Sequence, residues 1–393
     1  MHQPKADPST AHAYAQLLAA LSVIEDPRAE RGRLHTLSDV LAIVLLAVLC
    51  GCENAEEFES WGRKEETWLR GFLPLAHGIP SQDTYLRVLS AMDPVQFRAA
   101  FLTWVKQVFA PLGIAGQLAI DGKSVRGSRS SEHSAVHMVS ALACDSGLVL
   151  AHTRTADKAN EIVAIPQVLK LLSLHRTLVS IDAIGCQRSI AQQIVEEGGD
   201  YLLQVKGNQP ALQNELHTLF RQALAEPEHR PLDHTPAPRV QRYEHTDAGH
   251  GRLEVRKTVA CTELPDYLSQ KPLWCKLTTV VMVEASRQNV TTGHSSTEQR
   301  YYISSRALSA QDANSAVRAH WLIENQLHWV LDMSFGEDAC TVRAQHGAQN
   351  LAVMRHFAYN LLRRCHDKKS LRLRQRHCDW DRDYRQRVLQ ASA

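Results

Sequence analysis

Two stretches decide the fold: Gln117-Leu118-Ala119-Ile120-Asp121-Gly122-Lys123 and Thr177-Leu178-Val179-Ser180-Ile181-Asp182-Ala183-Ile184-Gly185. Each is an apolar run of strand length that ends in an aspartate and runs into a turn of glycine or small residues. The carboxyl ends of strands are where α/β sheets present ligands, so two aspartates on adjacent strands can converge on one cation. Hard divalent ions need oxygen donors, and one or two carboxylates suffice when phosphate oxygens complete the shell. A single Asp at a strand end is ordinarily just a turn former. Two in the same register point to phosphate chemistry.

Working outward, the pattern predicts further strands over 137–143, 148–153 and 201–205, and helices over 161–172 and 190–197. Antiparallel strands followed by alternating helix and strand make a mixed α/β sheet covered by helices. Residues 1–110 read as a helical domain, with helical spacing over 11–24 and 40–52 and a charged loop carrying Arg28, Arg31 and Arg33. The core's first part spans 111–209. A helix over 212–225 and strand-like runs over 252–260, 276–284 and 299–304 mark a β-rich insertion at 210–306. Helical spacing over 307–365 completes the core, and 366–393 is a basic tail. From Arg355 to Arg387 there are eleven Lys and Arg against four Asp, so this segment suits neutralisation of phosphates or, equally, amphipathic packing through Leu361, Leu362, Leu371 and Leu373.

A third acid comes from Arg318-Ala319-His320-Trp321-Leu322-Ile323-Glu324-Asn325-Gln326-Leu327-His328-Trp329, where Glu324 sits among apolar residues at helical spacing. A carboxylate beside a buried face needs a partner, which a metal ion or Arg318 can supply. Glu337 is the second candidate for this place. Lys123, Lys206, Asn208 and Gln209 fall beside predicted strand ends, where they could contact a phosphate backbone. Trp321 and Trp329 read as core rather than as stacking platforms.

The bulk numbers set limits. A 393-residue chain with 44% hydrophobic and 22% charged residues can bury two or three cores. The apolar run over 40–52 falls short of the roughly twenty residues needed to span a bilayer, and the first residues lack a signal-peptide pattern, so a cytoplasmic protein is expected. Nine cysteines without a C-x-x-C pair suggest neither a disulfide framework nor a zinc ribbon. A net charge of +2 neither demands nor excludes a nucleic-acid partner.

Taken together, the ordered blocks resemble the H-repeat-associated transposases of bacterial insertion sequences, within the DDE group. The blocks are Asp26-Pro27-Arg28, Arg31-Gly32-Arg33, Gly78-Ile79-Pro80-Ser81, Ile120-Asp121-Gly122-Lys123, Lys158-Ala159-Asn160-Glu161-Ile162, Ile181-Asp182-Ala183-Ile184-Gly185-Cys186-Gln187, Lys206-Gly207-Asn208-Gln209, His250-Gly251-Arg252, the Glu324 segment and Glu337-Asp338. The resemblance implies an RNase H-like fold, a catalytic triad of Asp121, Asp182 and Glu324 holding two Mg²⁺ (or Mn²⁺) ions, and a β-rich insertion before the glutamate. It also implies double-stranded DNA as partner, both transposon ends and target, and a homodimer. Contacts to DNA are expected from Lys123, Lys206, Asn208, Gln209, Arg318, His320, Arg28, Arg31 and Arg33. His320 and Leu331 stand where relatives often carry basic residues, four before and seven after the glutamate. A scaffold that binds DNA without transposing it, or a nuclease that cuts without joining, are the alternatives.

Overall fold

The computed structural model describes residues 18–31, 33–109, 116–129, 134–155, 160–225, 238–249, 251–365 and 367–390. The start of the first predicted helix, the Lys158-Ala159 pair, most of the Pro/His-rich loop after Pro227 and His250 lie outside them.

One nine-stranded sheet organises the chain. Its strands are β1 (Gln117–Val125), β2 (Val136–Ala143), β3 (Leu148–Thr155), β4 (Leu178–Ile181), β5 (Asp200–Val205), β6 (Gln241–Gly249), β7 (Arg252–Cys261), β8 (Thr279–Asn289) and β9 (Ser295–Ser304). The order is β3-β2-β1-β4-β5-β9-β8-β7-β6, with β1, β4 and β5 mutually parallel in the middle and the remaining pairs antiparallel. β4 and nearly all of β5 are buried residue after residue, as expected of parallel strands covered by helices. The β3-β2-β1-β4-β5 half, with its helices, is RNase H-like.

The insertion adds no separate sheet. Strands β6 to β9 extend the same one, since β9 pairs with β5 from Leu202↔Ser304 to Val205↔Tyr301. The helix Ala310–His320 then packs across this extension, burying Ala313, Ala316 and Val317 against Leu178, Leu202, Val281, Val283 and Tyr302.

The helix Leu37–Leu49, capped by the Thr36 side chain on the Asp39 N–H, buries twelve of its thirteen residues. It lies against the helix Gly347–Arg364, which also flanks β3 and β2. Asn360 on that helix accepts from Val149 N–H at 2.9 Å and donates to Val149 O at 2.8 Å, pairing the backbone of that residue on the edge strand β3.

The tail is not a loose basic arm. It forms the helices Leu371–Trp380 and Arg382–Gln390, which bury Cys378, Tyr384, Val388 and Leu389. Arg385 is fully buried, bonded to Glu65 at 3.1 Å with its guanidinium over Trp68 and Trp61. Arg382 meets the same Glu65 at 2.9 Å, and Arg374 holds Asp367 at 2.8 Å. The charge pattern on its own could not show that these arginines are spent on packing, because a buried ion pair and a solvated one have the same composition.

Candidate active site

The parallel pairing of β1 with β4 ends at Ile120↔Ile181, so Asp121 and Asp182 are the next residue on each strand. β4 stops there, whereas β1 runs on to Val125 because its other edge stays paired with β2. Asp121 therefore stands inside a strand rather than at its end. Asp182 caps the short turn Ala183–Gly185, accepting from Ile184 N–H at 3.1 Å. A Cβ on Gly185 would overlap Ile181 and Ile165, so only glycine lets this turn fold back against the strand.

The ligand atoms of Asp121, Asp182 and Glu161 lie within 4.8 Å of one another, and so do those of Asp121, Glu324 and His328. Asp121 belongs to both groups. Burial pushes its carboxyl up to about 6, with Asp182 and Glu161 adding repulsion and His328 opposing them. Asp182 is also raised, first by burial and then by Glu161. Acids that are crowded and desolvated in this way are poised for a cation, which would relieve both penalties at once. A donor set of four carboxylates and one imidazole, oxygen-dominated, fits a hard divalent ion.

Glu324 lies in a single widened helical turn, Ile323–His328, that follows the helix Ala310–His320. Such π turns are rare and often occur at functional sites. Here the turn carries Glu324 and His328 to the Asp121 carboxylate: His328 Nδ1 is 2.8 Å from Glu324 and 3.7 Å from Asp121, and the imidazole is buried. Glu337, the second candidate, is buried among cations instead, 3.3 Å from Lys123 and 4.0 Å from Arg355. In neither group within reach of Asp121 does it take part.

The expected DNA contacts divide. Lys123 is nearly buried and bridges Asp332 at 2.6 Å, Asp338 at 3.2 Å and Glu337, which ties the strand to the segment after the glutamate. Burial alone would lower its ammonium, but these acids hold it above its ordinary range. His320 is buried, bonds Ser180 Oγ at 3.2 Å and is pushed down to about 4 by burial, so it is neither charged nor accessible to a phosphate. Asn208 donates to Ala183 O at 2.6 Å and Gln209 to Cys186 O at 2.9 Å, so both brace the turn behind Asp182. Lys206 is exposed and close enough to Asp182 to favour its charged form. Arg28 and Arg33 both grip Asp26, at 2.7 and 3.3 Å, while Arg31 is exposed. Arg318 pairs with Asp247.

Sequence reasoning did not single out Glu161 and His328 as candidate ligands, and it placed Trp321 and Trp329 in the core. Both tryptophans are exposed, at 37% and 59%. Trp321 lies under the Arg300 guanidinium and lines a groove of about 770 Å³ with Arg256, Arg287, Arg318 and Asn325, the last adjacent to Glu324.

The profile of the transposase DDE domain matches residues 115–361, and the profile described as DDE_Tnp_1-associated matches residues 18–105. The "H repeat-associated putative transposase YhhI" of Escherichia coli (strain K12) is 34% identical over 385 residues, 96% of this chain and 98% of that protein. "Putative transposase YncI" of Escherichia coli O157:H7 is 36% identical over 356 residues, 90% of this chain and 88% of that protein. An uncharacterised protein of Xanthobacter autotrophicus is 45% identical over 285 residues, covering 72% of this chain and 92% of its own length. The match to the DDE domain over most of the chain marks a protein of the transposase type. The chain belongs to the H-repeat-associated DDE transposase family.

Proposed function

We propose that this protein cleaves DNA at insertion-sequence ends and joins the freed ends to target DNA, using Asp121, Asp182 and Glu324 as its catalytic acids. The observation that carries the reading is that Asp121 is shared by two groups of candidate ligands, one with Asp182 and one with Glu324. Two Mg²⁺ (or Mn²⁺) ions bound there would stabilise the attacking and leaving oxygens of an in-line displacement at phosphorus.

The chain's own residues prepare that chemistry. Asp121, fixed by its strand and by its bond to Gly122 N–H at 2.8 Å, sets the centre of the site. His328 holds the Glu324 carboxylate toward it. Asn208 and Gln209 keep the Asp182 turn from drifting, because they bond the backbone carbonyls behind it. The groove beside Glu324 offers arginines to the phosphates of the strand running away from the cut, and Trp321 offers a face for a base. The protein acts in the cytoplasm on nucleoid DNA. Joining two ends to one target calls for two copies of the site, so a homodimer is the working assembly.

The test uses a labelled insertion-sequence end, a target plasmid and Mg²⁺. Wild-type protein nicks the end and forms a joined product, and Asp182→Asn binds the end without doing either. Nicking without joining would make the protein a nuclease, and binding without nicking would make it a DNA-binding scaffold.

A further inference from the structure

We propose that Glu161 is a fourth carboxylate of the metal site, held in place by a buried Ser124–His137 pair. This rests on the reading of Asp121 and Asp182 as metal ligands. Glu161 opens the helix Glu161–Leu169, yet it is only 2% exposed. An acid in the first turn of a helix would ordinarily stand in solvent, where it complements the helix dipole at little cost. Here it faces the sheet, on the same stripe as Ala164, Ile165 and Val168, and its ligand oxygen falls within 4.8 Å of those of both aspartates.

Three features of the fold serve this placement. His137 Nε2 lies 2.6 Å from Glu161 Oε1, and its Nδ1 lies 2.8 Å from Ser124 Oγ. The Ser124 hydroxyl can donate into Nδ1, which leaves Nε2–H to donate to the carboxylate. A neutral imidazole bonded in this way orients Glu161 without cancelling its charge, as the hydrogen-bonding partners behind metal-binding side chains do. Third, Gly122 leaves the space empty: a Cβ there would overlap both His137 Nε2 and Glu161 Oε1. The glycine after Asp121 is thus required by the approach of Glu161 and not by a turn, since β1 continues through it.

A group that merely filled a packing position would not need this. An uncharged side chain on the same stripe would avoid bringing a third carboxylate against two already crowded ones. The arrangement is consistent with a site built to hold more positive charge than two aspartates balance.

The experiment is Mn²⁺ binding to the full chain by titration calorimetry without DNA, together with thermal unfolding with and without Mn²⁺. Glu161→Gln keeps the size and the acceptor for His137, so it should fold. We expect its Mn²⁺ affinity to fall at least about tenfold, the scale on which supporting partners of metal sites act, and its Mn²⁺-induced stabilisation to shrink. Asp121→Asn should lose binding altogether. Wild-type affinity in Glu161→Gln with binding lost in Asp121→Asn would overturn the role of Glu161 and leave the site reading intact. Wild-type affinity in Asp121→Asn would overturn the site reading itself. If Glu161→Gln does not fold, Glu161→Asp takes its place: weakened binding supports the proposal, and unchanged binding contradicts it.

Discussion

Replacing Asp121 by Asn should make the metal-free protein more stable at neutral pH. Burial raises the Asp121 carboxyl from its ordinary 3.8 to about 6 in the folded chain. The sign follows from linkage: the folded state holds the proton more tightly than the unfolded state. The stabilising contribution of the protonated acid is therefore fully present below about 3.8 and lost as pH rises through about 6. At pH 7.5 the ionised group costs the fold up to about 3 kcal/mol, the free energy of moving a carboxyl from 3.8 to about 6. Asn removes that cost but weakens the bond to Gly122 N–H, so a net gain of about 1–2 kcal/mol is the expectation. Urea unfolding of both proteins in chelator at pH 7.5 and at pH 4 measures it. The gain should be present at pH 7.5 and close to zero at pH 4, and Mn²⁺ at pH 7.5 should stabilise wild type but not Asp121→Asn. If Asp121→Asn is less stable than wild type at both pH values, the picture of a buried acid awaiting a cation is wrong.

Other perturbations probe other links. Arg385→Ala leaves Glu65 buried with only Arg382 beside it and should cost about 3–5 kcal/mol, seen as a lower melting temperature; an unchanged melt would mean that the C-terminal helices do not support the N-terminal ones. Asn208→Ala loses its bond to Ala183 O and should slow nicking while end binding holds, since it acts on the Asp182 turn; equal loss of both would assign Asn208 to DNA contact. Arg287→Ala with Arg300→Ala should weaken binding to all DNA and flatten the log–log salt slope by about 0.9 per lost phosphate contact; an unaltered slope would remove the groove from the DNA path.

How far the sequence could be read depended on whether a feature is local. The apolar runs before Asp121 and Asp182 predict adjacent strands, and the register places them so. The extent of β1 was not legible, because its continuation depends on β2 pairing, which no local pattern encodes. Glu161 carried a signal that went unread: spacing to Ala164, Ile165 and Val168 sets it on an apolar stripe, where an acid needs explanation. His328, four residues after Glu324, carried the same one. The exposure of Trp321 and Trp329 was hidden for another reason. The helix ends at His320 with Trp321 as its cap, and the wide turn from Ile323 then shifts the phase before Trp329, so one ideal helix does not describe either position. The burial of His320 and the ion pairs of Lys123 are products of tertiary packing alone.

The central claim is that Asp121 anchors a divalent-metal site with Asp182 on one side and Glu324 on the other. Its most direct test is anomalous scattering from crystals of the full chain with an insertion-sequence end and Mn²⁺. Two manganese peaks are expected, both ligated by Asp121, one also by Asp182 and the other by Glu324. No peak at Asp121, or a peak held by Glu337 in place of Glu324, would contradict it.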